Sequence, residues 1–246
     1  MLVKFCEHKY NPLGACKTIR LGTIEYYRTL NPSFTIADPH EGVDSYDVDY
    51  FSEVPNEECK KFLANGYFNL GDAKRVTMVG VKIKRTHPNC YIWCCKKIEG
   101  QLKKGDGRSI DVKYSSHYII KSPEEFANHA KKMLHQNLSI DSFDESSQHY
   151  ISGNSLSITD LELHCYYDEI RYVPQKMGAF FGEHSFHYNQ DIPDFIRHVF
   201  TKPEKHKHES EFRFLFSIFC PINKRLLTVK KDPINLQWIP NSAIGL

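Results

Sequence analysis

The residues best suited to chemistry lie in one short segment near the C-terminus, His208–Arg213, which reads His-Glu-Ser-Glu-Phe-Arg. Side chains alternate between the two faces of a β-strand, so a strand here would separate ionisable from aromatic groups. The two sets are Glu209, Glu211 and Arg213 on one face, and Phe212, Phe214 and Phe216 on the other. Two carboxylates about 6.6–7 Å apart can divide the work, one holding a substrate hydroxyl while the other opposes a developing positive charge. The same pattern also fits an amphipathic edge strand whose charges are solvated.

A second pair of carboxylates flanks a turn early in the chain. In the segment Ile36–Gly42, Asp38 and Pro39 start a turn and Gly42 permits a positive φ. One explanation is that Asp38 only caps this turn and has no further role. It leaves open why a second carboxylate, Glu41, stands at the far end of the turn.

Several regular elements are expected to position these residues. Branched, aromatic or alternating residues predict extended segments at Leu2–Cys6, Ile19–Thr29, Thr77–Lys84, Cys90–Cys95, Leu163–Val173 and Glu211–Phe219. The fourth segment is expected to pair with the third across the turn between them. A capping box at Ser122, with proline next to it, predicts the clearest helix, and a short helix is expected at Pro193–Phe200. Strands outnumber helices, so we predict one α+β domain over residues 1–246, with a central mixed or mostly antiparallel sheet flanked by a few helices.

The composition is that of a globular chain without a strong charge. Of its 246 residues 41% are hydrophobic, and 32 Lys and Arg nearly balance 30 Asp and Glu. No global field draws the chain to nucleic acid or to an anionic membrane, although Lys202–His208 is locally basic. The N-terminus does not resemble a signal peptide, and no apolar run reaches the roughly 18 residues of a membrane span, so a cytoplasmic location is expected. The eight cysteines include no C-x-x-C pair and are expected to be mostly buried thiols.

Taken together, the two acidic motifs resemble a family of uncharacterised bacterial proteins known only as a domain of unknown function. That family has an early D-P-x-E-G turn and a late aromatic-x-K stretch that runs into E-x-E-aromatic-R. The corresponding segments here are Asp38–Gly42, Phe200–Lys202 and Glu209–Arg213, with Tyr172–Val173 at a strand end. The resemblance spans most of the chain and implies substrate contacts from Asp38, Glu41 and Lys202.

The layout is more distantly similar to the ADP-ribosyltransferase superfamily, which includes toxins that use NAD to modify DNA or protein. Those folds open with a strand, a short helix and a second strand, and they end their site with a glutamate or E-x-E on a later strand. This similarity implies catalytic roles for Glu211 and Glu209, and NAD contacts from Lys4, His8, Arg20, Tyr27 (or Tyr26) and Arg213. Glu211 would hold a ribose hydroxyl and oppose the cationic transition state, while Glu209 would orient or activate the acceptor. The S-T-S element of the superfamily has two candidate counterparts, Ser115–Ser116 and Ser155–Ser157.

The implied function is NAD-dependent ADP-ribosyl transfer or NAD cleavage, as in a bacterial toxin or an anti-phage defence component. Its partners would be NAD as the substrate, a protein or nucleic-acid acceptor and a cognate antitoxin or defence partner, with no metal and no membrane. Two alternatives stay open: a non-catalytic sensor or protein-binding module of a defence system, and a metal-dependent nuclease. The histidines His184 and His187, and His206 and His208, motivate the nuclease, but neither pair lies on a predicted helix or strand.

Overall fold

The chain forms two compact units. The computed structural model describes residues 1–14, 16–31, 38, 41–53, 75–103, 105–108, 110–173, 196, 199–238 and 242–245. The core unit comprises Met1–Glu41, Pro88–Ile170 and His208–Leu246, and the second unit comprises Gly42–His87 and Arg171–Lys207. The predicted α+β class is confirmed, and the pairing within the main sheet is antiparallel.

The regular elements of the described residues are mostly strands, with a few helices. The strands are β1 Leu2–Cys6, β2 Thr18–Thr23, β3 Val43–Glu53, β4 Val76–Thr86, β5 Tyr91–Lys97, β6 Ser116–Ile120, β7 Glu162–Glu169, β8 Arg171–Val173, β9 Thr201–Pro203, β10 Glu211–Phe219, β11 Leu226–Leu227, β12 Ile234–Gln237 and β13 Ile244–Gly245. The α-helices are α1 Ile24–Thr29, α2 Pro123–Asn137 and α3 Glu145–Gly153. Short 3-10 helices lie at His8–Tyr10, Ile140–Ser142, Ile158–Asp160 and Glu204–Glu209.

Strand β10 lies inside the nine-stranded sheet of the core unit. It pairs with β7 along one edge and with β5, then β11, along the other. On the far side of β5, β1 pairs with its C-terminal end and β2 with its N-terminal end. The sheet continues from β1 to β6 and β13, and from β2 to β12. The predicted pairing of Cys90–Cys95 with the preceding strand is therefore wrong, because both edges of β5 are taken by β1, β2 and β10.

The predicted strand Glu211–Phe219 is confirmed as β10, and every one of its residues is buried. Phe212, Phe214 and Phe216 belong to the main apolar cluster of the core unit. The ring of Phe214 contacts Trp93 of β5, with centroids 5.6 Å apart, and Phe126 of α2, with centroids 4.8 Å apart. A strand that is buried on both faces and paired on both edges is not an edge strand, so its charged residues are not solvated.

Helix α2 covers the apolar face of this sheet. It begins as predicted, because Ser122 Oγ accepts a hydrogen bond from the backbone N–H of Glu125 and Pro123 occupies the first helical position. The buried side of the helix carries Phe126, Ala127, Ala130, Met133 and Leu134, which all belong to the main apolar cluster. Each large side chain buried there contributes about 1.5–3 kcal/mol to the stability of the core unit.

The second predicted strand, Ile19–Thr29, is correct only in its first half. Strand β2 ends at Thr23, whose Oγ1 accepts a hydrogen bond of 3.0 Å from the N–H of Tyr26 and so caps α1. The N–H of Glu25 donates to Asn89 Oδ1 at 2.8 Å, which satisfies another free amide of the first turn. The tyrosines Tyr26 and Tyr27 therefore lie on a helix.

The second unit contains a long antiparallel hairpin and a short parallel pair. Strand β3 pairs with β4 over most of their length, which confirms the predicted strand Thr77–Lys84. Strands β8 and β9 pair in parallel.

The short helix predicted at Pro193–Phe200 lies largely outside the described residues. In the part of the chain that the structure describes, no helix has both the length and the hydropathy to cross a membrane.

Candidate functional site

A buried ion cluster occupies the face of β10 opposite the aromatic core. It consists of Glu41, Glu211 and Arg213, which we call the carboxylate cluster. Arg213 Nε and Nη2 lie 2.8 and 2.7 Å from Glu211 Oε1, while Nη1 and Nη2 lie 2.6 and 3.1 Å from Glu41 Oε1 and Oε2. The Arg213 side chain is 1% exposed, and those of Glu41 and Glu211 are 5% and 10% exposed. One guanidinium thus holds two carboxylates side by side.

Two segments that are distant in sequence build this cluster. Strand alternation places Glu211 and Arg213 on one face of β10, as predicted. Glu41 comes from the predicted turn, in which its N–H donates to the Asp38 carbonyl at 3.0 Å and Gly42 has a φ of 60°. The N–H of Asp38 donates to the carbonyl of Tyr27 at 3.1 Å, which fixes the turn to the end of α1. The acidic turn and the late acidic strand therefore meet.

The electrostatics of the cluster are governed by burial and by the attraction between Arg213 and the two carboxylates. Burial opposes the charge on Arg213, but Glu211 and Glu41 outweigh it and raise the pKa of the guanidinium well above its ordinary value. Taking each ion out of water costs several kcal/mol, so the close contacts mainly offset that cost.

Three neighbours of the cluster were not singled out in the sequence. Asp168 on β7 and Cys94 on β5 lie directly opposite Arg213 on either side of β10. Asp168 is 1% exposed, and its Oδ1 accepts a hydrogen bond from the N–H of Glu169. Arg28 Nε donates to the backbone carbonyl of Glu41 at 2.9 Å, and burial lowers the pKa of Arg28. Only the strand register identifies Asp168 and Cys94, and no sequence motif marks them.

A cysteine nucleophile is not favoured beside this cluster. Burial raises the pKa of the Cys94 thiol well above its ordinary value, and the charge of Glu211 raises it further. The thiol therefore stays protonated at neutral pH, whereas the thiolate is the nucleophilic form. Burial likewise raises the pKa of Cys90 to about 12.

Arg20 and the two tyrosines of α1 lie beside the cluster on the same sheet face. Gly22 pairs with Ile92 and Ile92 with Leu215, so Arg20, two residues before Gly22, shares the face of β10 that carries Glu211. Arg20 is exposed, and its Nη2 donates to the Tyr26 hydroxyl at 3.2 Å. Tyr27 packs on Gly22, where an added Cβ would lie 2.3 Å from the ring. Burial raises the pKa of Tyr27, with further contributions from Cys94 and Glu41.

Lys4 and His8, predicted to contact NAD, lie elsewhere in the core unit. Lys4 Nζ donates to the Cys94 carbonyl at 2.5 Å and lies 4.9 Å from the centroid of Trp93, which belongs to the apolar cluster. Lys4 is therefore on the sheet face opposite Glu211. His8 is exposed, and its N–H donates to Ser115 Oγ at the start of β6. Two strands, β5 and β1, separate β6 from β10.

Glu209 does not share the strand face of Glu211. It ends the 3-10 helix Glu204–Glu209, and Ser210, with a φ of 46°, turns the chain before β10 begins. Of the three ionisable residues expected on one face of the strand, Glu211 and Arg213 lie there and Glu209 does not. Lys202 is buried on β9 of the second unit. Of the two serine candidates, Ser115–Ser116 leads into β6 and Ser155–Ser157 follows α3.

The described histidine pair, His206 and His208, gives no geometric support for a metal centre. Among the described residues, no group of three or more His, Cys, Asp or Glu side chains is arranged to hold a metal ion. His206 and His208 lie on the 3-10 helix Glu204–Glu209, and His184 and His187 lie outside the described residues.

The chain matches no protein-family model, no curated protein and no solved structure. The family resemblance of its two acidic motifs therefore stays a prediction. A function has to be assigned from the chemistry of the carboxylate cluster, which can hold a hydroxyl group or oppose a developing positive charge.

Proposed function

We propose that the carboxylate cluster acts on the nicotinamide–ribose bond of NAD, in ADP-ribosyl transfer to an acceptor or in hydrolysis. The observation that carries this proposal is the pair of carboxylates, Glu41 and Glu211, held side by side by the buried guanidinium of Arg213. Cleavage of this bond passes through a ribosyl cation, which a fixed negative charge in a site of low dielectric constant stabilises. Two carboxylates fixed side by side suit that transition state.

In this proposal each residue has a defined role. Glu211 accepts a hydrogen bond from a ribose hydroxyl and opposes the positive charge as the C–N bond breaks and its electron pair leaves with nicotinamide. The acceptor nucleophile, or water, then forms the new bond to the ribosyl carbon and releases its proton to solvent. Arg213 is a positioning residue, because it contacts both carboxylates. Arg20, which is exposed on the same sheet face, suits the pyrophosphate.

The test measures nicotinamide release from NAD by the whole protein in the presence of cell extract, which supplies acceptors. Glu211→Gln keeps the size of the side chain and removes its charge, so we expect a loss of about 100-fold or more. Glu162→Gln is the matched control, because Glu162 is a half-exposed carboxylate that pairs with the exposed Lys224. Equal release by the wild type and Glu211→Gln, or none from either, rules out the proposed chemistry.

The geometry also favours a second candidate, a non-catalytic binding module in which the cluster is a structural clamp. Nε, Nη1 and Nη2 of Arg213 all contact carboxylate oxygens, and Glu41 ties its turn to β10. A clamp predicts that Glu41→Gln and Glu211→Gln lower the melting temperature by similar amounts and that neither changes nicotinamide release. The NAD reaction instead predicts that Glu211→Gln abolishes release at a temperature where the variant remains folded.

A further inference from the structure

A cleft of about 400 Å³ opens in the core unit between β1, the start of β6 and the loop that precedes β6. The lining residues that matter to its chemistry are two cations, two serines and two rings: Lys103, Arg108, Ser115, Ser116, Phe5 and His117. The cleft shares no residue with the carboxylate cluster. Strands β5 and β1 lie between β10 and β6, which places those two strands about 14 Å apart. The volume lies in the range of small-molecule sites.

The serines present hydrogen-bond donors to this cleft. Ser115 Oγ accepts a hydrogen bond of 3.1 Å from the N–H of His8, and Ser116 Oγ accepts one of 2.9 Å from Asn11 Nδ2. A serine hydroxyl has one proton to donate, and neither proton has an acceptor among the described residues. The hydroxyls therefore suit a ligand that is rich in acceptors.

The charge of the lining points to an anionic ligand. Lys103 and Arg108 are both exposed, and neither forms an ion pair in the described part of the chain. Asp106 is the acidic residue of the lining, and its Oδ2 already accepts a hydrogen bond of 2.8 Å from the backbone N–H of Lys103. Burial raises the pKa of Tyr114, which keeps its phenol protonated as one more donor.

Two glycines shape the loop over an aromatic wall. Gly105 has a φ of +100°, and a Cβ on Gly107 would lie 2.8 Å from Cδ1 of Phe5, so only glycine lets the loop approach this ring so closely. The rings of Phe5 and His117 lie 6.2 Å apart at 55° to each other. Phe5 is 7% exposed and supports the loop from below, so the half-buried ring of His117 is the aromatic surface that the cations and hydroxyls accompany.

We propose that this cleft binds a free nucleotide, with Lys103, Arg108 and the two serine hydroxyls on its phosphates and the ring of His117 against its base. Cationic groups and hydroxyl donors match phosphate oxygens, and aromatic side chains stack on bases. A small ligand fits better than a nucleic-acid strand, because a polymer site needs an extended basic groove and the whole chain carries a net charge of only +2. The site does not depend on the NAD reaction proposed for the carboxylate cluster.

The experiment titrates ADP into the whole protein by isothermal titration calorimetry. Lys103→Glu and Arg108→Glu each remove a charge-assisted contact, so we expect each to weaken ADP binding about tenfold and the double variant about 100-fold. Lys132→Glu, which makes the same charge change on the exposed side of α2, is the control and should bind ADP like the wild type. These residues are exposed, so the variants should melt at the temperature of the wild type.

Adenosine and inorganic phosphate test the base contact and the phosphate contacts separately. We expect both to bind much more weakly than ADP, because each reaches only one half of the cleft. ADP affinity that is unchanged in the double variant places ADP elsewhere and overturns the proposal. Adenosine binding as tightly as ADP overturns the role of the cations, and phosphate binding as tightly as ADP overturns the role of the His117 ring.

Discussion

Replacing Arg213 with methionine tests whether the carboxylate cluster holds the core unit together. The substitution keeps an unbranched side chain and removes four nitrogen–oxygen contacts of 2.6 to 3.1 Å. Glu41 and Glu211, at most 10% exposed, would then lose the guanidinium that lies between them. Removing one partner of a buried ion cluster typically costs about 3–5 kcal/mol, because it leaves uncompensated charge. We expect Arg213→Met to lower the free energy of unfolding of the core unit by that amount.

Tryptophan fluorescence during urea unfolding isolates this unit. The chain has two tryptophans, and both Trp93 and Trp238 belong to the core unit, where they are 2% and 1% exposed. The matched control is Arg225→Met. Arg225 is an exposed arginine of the same unit whose guanidinium lies 4.6 Å from the centroid of Tyr150. An exposed contact of this kind contributes about 0.5–1 kcal/mol.

The pH dependence distinguishes an electrostatic cause from a packing defect. Two carboxylates left together in the Arg213→Met protein bind a proton more readily when folded than when unfolded. The deficit relative to the wild type should therefore shrink as the pH falls below about 5. A cost no greater than that of Arg225→Met refutes the assignment of Arg213 as the centre of a buried ion cluster. A large deficit that does not change with pH refutes its electrostatic origin.

Two further predictions concern the surroundings of the cluster and the apolar core. Gly22→Ala places a Cβ 2.3 Å from the Tyr27 ring and should lower the free energy of unfolding by about 1–3 kcal/mol; a urea midpoint equal to that of the wild type would contradict this packing. Burial lowers the pKa of His129, whose ring lies 4.5 Å from Trp238, below its ordinary 6.5. The unfolded chain therefore binds the proton first, and the contribution of neutral His129 to stability, present above pH 6.5, is lost as the pH falls through its lowered pKa. Urea midpoints at about pH 5 and about pH 8 should differ less in His129→Gln than in the wild type.

Local patterns in the sequence predict the central strand and the main helix well. Glu211–Phe219 alternates and is rich in aromatic residues, and the cap at Ser122 fixes the start of α2, so both elements were placed correctly. Pairing is harder to predict, because hydrogen bonds between strands link residues that are far apart in the chain. The segment Cys90–Cys95 was expected to pair with its neighbour in sequence, yet it pairs with β10 more than a hundred residues later.

Two errors at the candidate site have the same kind of cause. In each, one residue ends the extended backbone where the surrounding sequence pattern predicts a continuous strand. Ser210 takes a positive φ and removes Glu209 from the strand face, although period-two alternation continues through it in sequence. Thr23 caps a helix inside a segment rich in β-branched and aromatic residues, so Tyr26 and Tyr27 leave the strand. The meeting of Glu41 with Arg213 depends on tertiary packing, and only the family resemblance placed the two acidic motifs in one site.

Stability alone does not explain why β10 carries ions at its start. The same face continues with Leu215 and Ser217, both 0% exposed, so the interior there accepts apolar and small side chains. Replacing a buried ion cluster with well-packed apolar residues is often neutral or stabilising. Glu41, Glu211 and Arg213 are therefore not needed for a stable core, because apolar residues could fill the same space. The ions are also concentrated at one end of the strand, where Glu41 of the Asp38 turn contacts Arg213. Groups that are costly to bury and are gathered at one end of a central strand are typical of a site that binds or acts on a ligand.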